Sequence, residues 1–307
     1  MPARGGSRRR SGKDSAADSA KDRAAGNPKD RGDRRPAPPS RPRIELITDD
    51  EHPGGTMLVM DDVRQSYVDL DDPTYLDFEY VQYFASVLAT LPDGPLAVTH
   101  VGGGGLTVPR YLQASRPGSS QIVFEPDTEL TELVRSRLPL PREHRIRVRP
   151  QEGRAGIRSL AEGSADVVVL DAYADGRVPA ALTTLEFFVD VSRVLKADGL
   201  LLANLVDEPG LRYVGRVLAG LAAVFGELAL VSSNDVLKGR RFGNVVLAAS
   251  SGPLDVAELR RQIARQPFPA GVRDDAQLAP HYRTVRPWTD AESSSSPEPV
   301  RDGWRIR

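Results

Sequence analysis

The chain has 307 residues, a near-neutral net charge and no cysteine, which excludes disulfides, thiolate zinc sites and cysteine nucleophiles. It has only four scattered histidines, so we expect no histidine-rich metal site and predict no metal ligands. No run approaches the roughly 18 uninterrupted apolar residues of a membrane span, and the N-terminus has no apolar signal core. We therefore expect a globular, enzyme-sized protein of the cytoplasm.

The two ends of the chain differ in composition from the part between them. Residues 1–43 hold 13 Lys and Arg against five Asp and have few large apolar side chains, which is typical of a disordered basic tail. Such a tail contacts acidic surfaces without specificity, and we predict no specific nucleic-acid partner and no membrane partner. The Ser- and Pro-rich end of the chain, residues 288–307, is predicted to be a second disordered tail.

Residues 44–91 show short alternating apolar runs that are split by Pro-Gly-Gly and Asp-Asp turns. This pattern is typical of a small β-hairpin region. The last part, DFEYVQYFASVLATL (77–91), has the apolar spacing of an amphipathic helix. We predict an N-terminal β appendage followed by a linking helix.

Between residues 92 and 287, strand-like apolar runs alternate with helical patterns. The predicted strands are LAVTHV (96–101), QIVFE (121–125), IRVR (146–149), ADVVVLDAY (165–173), LLLANLV (200–206), ELALVSS (227–233) and NVVLAAS (244–250). Such alternation indicates a mainly parallel sheet with helices on both faces, and the last two runs, which lack a clear helix between them, suggest an antiparallel edge pair. The predicted fold class is α/β, with a Rossmann-like, methyltransferase-type sheet of about seven strands and the small β appendage.

Four consecutive glycines, Gly102, Gly103, Gly104 and Gly105, follow the first strand of this sheet. In such sheets ligands bind beyond the carboxyl ends of the strands, where the strand order reverses, and glycine lets the backbone approach a ligand closely. The turn lacks the third glycine of the dinucleotide fingerprint and the Gly-Lys-Ser/Thr of the phosphate loop. It suits a sulfonium nucleoside, whose adenosine and amino-acid-like tail would lie along the strand ends.

Carboxylates stand at the ends of the next three strands. Glu125 is placed to accept hydrogen bonds from ribose hydroxyls, although an acid here can instead cap the following helix, a role that fits Asp127 better. Glu152 either accepts a hydrogen bond from an adenine amino group or is an ordinary solvated loop acid. Asp171 ends a central strand, where a charge is costly unless it has a task. It is a candidate base for an amine proton, or a structural acid bonded to N–H groups of the turn.

These motifs, in their order and spacing, resemble the polyamine aminopropyltransferases, the spermidine and spermine synthases, over about residues 56–250. MDDVRQS (60–66) resembles the family's L-D-G-x-x-Q segment, and VGGGG (101–105) resembles its G-G-G-D-G-G turn. FEPD, EGR and DAYADG resemble V-E-I-D, D-G/A-R and D-S-S-D-P, and DDPTY (71–75) resembles D-E-x-x-Y.

The resemblance implies a transferase, expected as a homodimer, that moves an aminopropyl group from decarboxylated S-adenosylmethionine to a diamine or polyamine and releases methylthioadenosine. The sulfonium compound is a co-substrate, so no cofactor is expected. Carried over motif by motif, the resemblance assigns the base to Asp171, with Tyr75 as its partner. The other implied substrate contacts are Gln65 and Glu125 for the nucleoside, Glu152 and Gly153 in the EGR motif, and Tyr173 in DAYADG.

Two positions depart from the family pattern. The acid inside the family's glycine turn is Gly105 here, so the carboxylate that would hold the donor's aminopropyl ammonium is missing. The second Asp of D-S-S-D is Ala174, with Asp175 one place late, which weakens the implied diamine pocket. The motifs therefore support binding of an adenosyl sulfonium compound more strongly than they support aminopropyl transfer. A methyltransferase that uses intact S-adenosylmethionine and a catalytically silent nucleoside-binding relative are the alternatives.

Overall fold

The computed structural model of the protein describes residues 43–299. The predicted basic tail, residues 1–43, lies outside the described part except for Arg43, and so does the end of the second predicted tail, residues 300–307. Within residues 43–299, no helix has the length and apolar character needed to cross a membrane.

The first three strands form a separate antiparallel sheet of β1 (Ile44–Thr48), β2 (Gly55–Met60) and β3 (Val63–Asp69). Asp61 and Asp62 connect β2 to β3, and their φ angles are 48° and 63°. A tight two-residue hairpin turn needs positive φ at both positions, which Asp tolerates better than most residues. The Asp-Asp pair in the sequence is therefore the turn that sets the register of this hairpin.

This small sheet is fixed to the rest of the chain by apolar burial. Leu58 and Val68 are buried and share one hydrophobic cluster with Leu106, Val123 and Leu130 of the main domain. The chain then continues into the helix α1 (Glu79–Leu88), as the apolar spacing of this segment predicts.

The other elements alternate along the chain. The remaining strands are β4 (Ala97–Val101), β5 (Ser120–Phe124), β6 (Ile146–Arg149), β7 (Ala165–Leu170), β8 (Leu195–Asp207), β9 (Glu227–Ser233), β10 (Gly243–Ser250) and β11 (Ala270–Asp274). The remaining helices are α2 (Thr107–Ser115), α3 (Thr128–Arg137), α4 (Gly153–Arg158), α5 (Leu185–Val194), α6 (Arg212–Ala222), α7 (Asn234–Leu237), α8 (Val256–Ala264) and α9 (Asp275–Tyr282), with a 3-10 turn at Ala180–Leu182.

Strands β4 to β11 form one mixed sheet in the order β11-β9-β10-β8-β7-β4-β5-β6. The pairs among β4, β5, β6, β7 and β8 are parallel, and those that involve β10 or β11 are antiparallel. The chain runs outward from β4 to β6 and then returns to place β7 on the other side of β4. The strand order therefore reverses between β4 and β7, where sheets of this kind bind their ligands.

The sheet has eight strands in the described part of the chain, where the sequence predicted about seven. The two late apolar runs do pair in antiparallel fashion, but β10 lies between β8 and β9. The strand missed from sequence is β11, whose residues AGVRD are all only partly buried and do not alternate. Its pairing comes from backbone hydrogen bonds with β9, and a pattern of side chains does not report those.

The predicted disordered tail is wrong for residues 288–299, which are tied to the main domain by polar contacts. The Asp290 carboxylate accepts hydrogen bonds of 2.5 and 2.7 Å from the Arg154 guanidinium. Ser296 is fully buried, and its hydroxyl and N–H bond to the backbone of Val178 at 2.9 and 3.1 Å. Arg177 Nε donates to the Ser296 carbonyl at 2.5 Å. The Ser- and Pro-rich composition suggested disorder because it offers little apolar surface, but hydrogen bonds order the segment instead.

Helix α4 crosses the end of β5 at Gly156, where a Cβ would overlap the ring of Phe124, a fully buried side chain. Alanine normally stabilises a helix interior relative to glycine, but Gly156→Ala is expected to destabilise this protein by about 1–3 kcal/mol through overpacking. In thermal unfolding this corresponds to a loss of about 2–4 °C per kcal/mol. Gly226→Ala is the control, since its Cβ would meet no atom closer than 3.9 Å. Equal melting temperatures for the two variants would show that Phe124 relaxes.

Candidate active site

The carboxyl ends of β4, β5 and β7 and the start of α4 surround a cavity of about 320 Å³, here called the first cavity. Most of the predicted site residues lie in its wall, although they come from five separate segments of the chain. Those that line it are Gln65, Gly102, Gly103, Gly104, Glu125, Glu152, Gly153, Asp171 and Tyr173. The two that do not are Gly105 and Tyr75.

The glycine turn is shaped by close backbone approaches. Gly102 has a φ of 101°, and a Cβ there would overlap the carbonyl oxygen of Asp171. Gly104 has a φ of 47°, and its Cβ would lie 2.7 Å from Ser66 Oγ. Both positions therefore need glycine for conformation and for space.

Gly105, the fourth glycine, contacts the N-terminal sheet. Its N–H donates to Ser66 Oγ at 3.0 Å, and a Cβ there would lie 3.0 Å from the side chains of Ser66 and Val68 on β3. The fourth glycine lies where the N-terminal sheet packs on the turn, and a side chain here would require its neighbours to shift by a few tenths of an ångström. Gly105 is therefore a packing position beside the N-terminal sheet and outside the wall of the first cavity, and its role as a substrate contact stays a prediction.

Glu125 holds the glycine turn while it lines the first cavity. Its Oε2 accepts hydrogen bonds from the N–H groups of Gly103 and Gly104 at 2.9 and 3.4 Å, and its Oε1 accepts one from Asp127 N–H at 3.0 Å. A carboxylate has about four acceptor sites, so Glu125 can still accept from a ligand hydroxyl. The helix-capping role belongs to Asp127, which accepts from Leu130 N–H at 2.9 Å.

The EGR motif begins α4 at the wall of the same cavity. Glu152 occupies the N-cap position, but its side chain makes no capping hydrogen bond. A Cβ on Gly153 would overlap Val101 Cγ1, so glycine allows the helix start to pack on the end of β4. The carboxylate of Glu152 therefore lies in the cavity wall and is not used to cap the helix.

Asp171 follows β7 and is the centre of a polar network. Its Oδ1 accepts a hydrogen bond of 3.0 Å from the Asn204 amide, and its Oδ2 accepts one of 3.3 Å from the Tyr80 hydroxyl. Asn204 is buried on β8, and its Oδ1 accepts from the Asn244 amide of β10 at 3.0 Å. Because the Asn204 amide is anchored on both sides, the Asp171 carboxyl is held in one orientation.

Burial raises the pKa of Asp171 to about 6, even though the hydrogen bonds from Asn204 and Tyr80 favour its charged form. Burial also raises the pKa of Tyr80, so that its hydroxyl stays protonated and donates. A carboxyl group with a pKa of about 6 is mostly ionised at neutral pH and is still able to take up a proton. Asp171 is therefore the candidate base of the site.

The predicted partner of this base, Tyr75, lies elsewhere. Its ring is exposed and stacks on His52, with 4.2 Å between the ring centroids. The DDPTY segment forms a turn after β3, and the tyrosine that reaches Asp171 is Tyr80, in the first turn of α1. The amphipathic pattern of α1 was visible in the sequence. A contact between residues 91 positions apart was not.

A second cavity of about 570 Å³ adjoins the first. The walls that both cavities share are formed by Met60, Gln65, Tyr80, Tyr173 and Ala174. The sequence did not indicate this second cavity, because its lining also comes from the β2–β3 hairpin, the end of β8, the start of β10 and the C-terminal segment.

Charge is distributed unevenly around the second cavity. Among residues 43–299, the charged residues that line it are Asp61, Asp175, Glu298 and Arg64. Asp175 takes the left-handed conformation with a φ of 53°. Asp175, which stands one residue after the position of the second family Asp, therefore still lines this cavity.

No family model matches the chain, but known proteins resemble it in sequence and in structure. A probable spermidine synthase from Corynebacterium glutamicum has a crystal structure that is 30% identical, with a TM-score of 0.75 over 82% of this chain and 94% of that chain. A polyamine aminopropyltransferase of Chromobacterium violaceum is 25% identical over 170 residues, which are 55% of this chain and 64% of that protein. The match thus spans just under two thirds of the relative's length.

The crystal structure of human methyltransferase-like protein 13 in complex with SAH is also similar. It is 25% identical, with a TM-score of 0.50 over 69% of this chain and 96% of that chain. The fold is thus of the Rossmann-like, methyltransferase type, with the small N-terminal sheet added. With the glycine turn, the strand-end carboxylates and these relatives considered together, the chain belongs to the polyamine aminopropyltransferase family of transferases, as a divergent, spermidine synthase-like member.

Proposed function

We propose that the protein transfers an aminopropyl group from decarboxylated S-adenosylmethionine to an amine of a cationic acceptor. The observation that carries the proposal is the position of the Asp171 network. The carboxyl group lines the first cavity, while its partners Tyr80 and Asn204 line the second. The network therefore spans the junction where a donor in one cavity would meet an acceptor in the other.

The first cavity supports binding of the donor's nucleoside. Glu125 has acceptor capacity left for a ribose hydroxyl, and Glu152 offers a carboxylate that the helix cap does not use. Gln65 reaches the same cavity from β3 and is an amide contact for the nucleoside. Hydrogen bonds from ligand hydroxyls to ionised acceptors contribute about 1.5–3 kcal/mol each, so these side chains would supply much of the affinity.

The chemistry of the proposed step needs a base and a fixed geometry. The lone pair of a neutral amine attacks the aminopropyl carbon bonded to the sulfonium, and the carbon–sulfur bond breaks. Its electron pair returns to sulfur, which leaves as the neutral thioether methylthioadenosine. The attacking nitrogen gives its proton to ionised Asp171, which Tyr80 and Asn204 hold in place. The donor is a co-substrate, and orientation contributes much of the acceleration in such a displacement.

The second cavity supports a cationic acceptor, as a diamine or polyamine is. Among the described residues, its wall includes the acids Asp61, Asp175 and Glu298 and the cation Arg64. A volume of about 570 Å³ is within the usual range of small-molecule sites. The distal ammonium groups of such an acceptor would lie among the carboxylates while its reacting amine approaches Asp171.

Methyl transfer from intact S-adenosylmethionine is the second candidate, because Gly105 stands where the family's glycine turn has an acid. Gly105 packs against Ser66 and Val68, so no carboxylate at this position selects a decarboxylated donor. A similar human protein, methyltransferase-like protein 13, has been solved in complex with SAH, which supports methyl transfer as a candidate. The two candidates share the nucleoside cavity and the base, and they differ in the group that leaves the sulfonium.

Turnover distinguishes the candidates. With decarboxylated S-adenosylmethionine and putrescine or spermidine, the wild type is expected to release methylthioadenosine, with kcat/KM rising as the pH rises through about 6 because Asp171 must be ionised. Asp171→Asn should lower turnover by about 10²–10⁴. Asp166→Asn, at the opposite end of the same strand, is the control and should stay within about twofold of the wild type.

Formation of S-adenosylhomocysteine from S-adenosylmethionine, without methylthioadenosine release, would favour methyl transfer. Silence in both assays would overturn both candidates.

Asp171 should also leave a signature in stability that does not depend on substrates. Between pH 4 and 6 the folded protein keeps a proton on Asp171 that the unfolded chain has released, so stability falls as the pH rises through this window. Asparagine cannot ionise, and Asp171→Asn should gain about 1–3 kcal/mol relative to the wild type between pH 4 and pH 8. The measurement is thermal unfolding across this range. Tyr80→Phe keeps the carboxyl group and should keep the fall. A stability difference between Asp171→Asn and the wild type that does not change with pH would contradict the raised pKa of Asp171.

Nucleoside binding can be tested apart from catalysis. Glu125→Gln should weaken binding of methylthioadenosine by at least about tenfold, because the ribose loses a charged acceptor worth about 1.5–3 kcal/mol. Calorimetry with methylthioadenosine measures the change directly. Glu129→Gln, on the first turn of the adjacent helix and outside the wall of the first cavity, is the control. Unchanged affinity in Glu125→Gln would remove this residue from the site.

A further inference from the structure

His100 is a buried polar side chain that the proposed mechanism does not use. It lies on β4 two residues before the glycine turn, is 2% exposed and borders the first cavity. A buried imidazole is costly unless its nitrogens are hydrogen-bonded. The two ring nitrogens of His100 differ in their contacts.

One nitrogen is bonded in a way that fixes the tautomer. The Gln121 amide donates from Nε2 to the Pro109 carbonyl at 2.9 Å, and a carbonyl can only accept. The Gln121 oxygen therefore faces His100, whose Nε2 lies 2.9 Å from it and must donate. Burial lowers the pKa of His100 to about 4, so the ring is neutral at physiological pH. In this tautomer Nδ1 carries a lone pair and no proton.

The other nitrogen, Nδ1, has no hydrogen-bond partner among the described residues. The surroundings offer little that could replace one, since Val169 is the neighbour of His100 across the β4–β7 pair. Val169, Val81 and Val108 belong to one hydrophobic cluster, and all three line the first cavity. His100 is thus a hydrogen-bond acceptor beside an apolar lobe of the cavity, defined by Val81, Val108 and Val169.

An apolar lobe beside a single acceptor matches the chemistry of the donor's tail. That tail is a three-carbon chain that ends in an ammonium group. The chain gains from contact with apolar side chains, and the ammonium needs an acceptor when water is excluded. The glycine turn does not supply one, because Gly105 packs against Ser66 and Val68. Nδ1 of His100 can accept a hydrogen bond because the ring stays neutral, so that no proton occupies this nitrogen.

We propose that His100 Nδ1 accepts a hydrogen bond from the ammonium group of the donor's aminopropyl tail and so replaces the carboxylate that the glycine turn lacks. This inference rests on the proposed function, because it takes the decarboxylated sulfonium nucleoside as the ligand of the first cavity. His100 contacts the donor and not the reacting atoms, which makes it a residue of donor specificity.

Two substitutions separate the two ring nitrogens. The amide of His100→Gln reaches the Nε2 position, so it keeps the bond to Gln121 and removes the acceptor at Nδ1. The oxygen of His100→Asn occupies the Nδ1 position, so it keeps the acceptor and gives up the bond to Gln121. Loss of folding stability is therefore expected mainly in His100→Asn, and loss of donor recognition mainly in His100→Gln. A merely structural histidine would show the same loss of stability in His100→Asn but no selective loss of donor recognition in His100→Gln.

The test is calorimetry with decarboxylated S-adenosylmethionine and with methylthioadenosine, which has no ammonium. His100→Gln should bind the sulfonium donor about tenfold more weakly and methylthioadenosine as the wild type does, while His100→Asn keeps the wild-type ratio of the two affinities. Equal affinities of His100→Gln and the wild type for both ligands, or equal losses for both, would overturn the proposal.

The outcomes also separate this inference from the proposed function. A wild type that binds methylthioadenosine as tightly as the sulfonium donor would overturn the role of His100 and leave the nucleoside cavity in place. A donor preference that disappears in His100→Gln, in a protein that releases no methylthioadenosine with any amine, would support the role of His100 and overturn aminopropyl transfer. A wild type that binds neither ligand would overturn both.

Discussion

The site depends on the close approach of two strand ends, made possible by the missing side chain of Gly102. A Cβ at Gly102 would overlap the carbonyl oxygen of Asp171, so any other residue would push β7 away from β4. Backbone hydrogen bonds from Asp171 N–H to Val101 and from Gly102 N–H to Phe124, of 2.9 and 3.0 Å, join three strands at this point. The approach brings the glycine turn and the candidate base into one cavity wall, because the strand order reverses between β4 and β7.

The polar groups at this edge are ordered by the same strands. Asn204 on β8 and Asn244 on β10 lie on neighbouring strands. The Asn244 side chain orients the Asn204 amide, which in turn holds the Asp171 carboxyl. A partly desolvated carboxyl with two hydrogen bonds acquires a pKa of about 6, because burial outweighs the donors. The fold thus sets both the position and the proton affinity of the candidate base. Neither property belongs to the residue alone.

The N-terminal sheet contributes more to the site than its small size suggests. It packs through Leu58 and Val68, brings Ser66 against the glycine turn and carries Gln65 into both cavities. Gly105 lies against this sheet, and a Cβ there would lie 3.0 Å from the side chains of Ser66 and Val68, so any side chain at this position requires small shifts of its neighbours.

Local sequence patterns were sufficient for the alternation of strands and helices from β4 to β9, the glycine turn and the strand-end acids Glu125, Glu152 and Asp171. Their positions follow from one rule, that parallel strands end at the same edge of a sheet. The partners of Asp171 were decided only by the tertiary structure. Tyr80 and Asn204 are 91 and 33 residues away from it, and their side chains look like ordinary helix and strand residues in sequence. The C-terminal segment is ordered by hydrogen bonds to the loop after β7, such as that from Arg177 to Ser296, which leave no trace in hydrophobic periodicity. Sequence determines which groups stand at strand ends, and only packing decides which distant groups meet them.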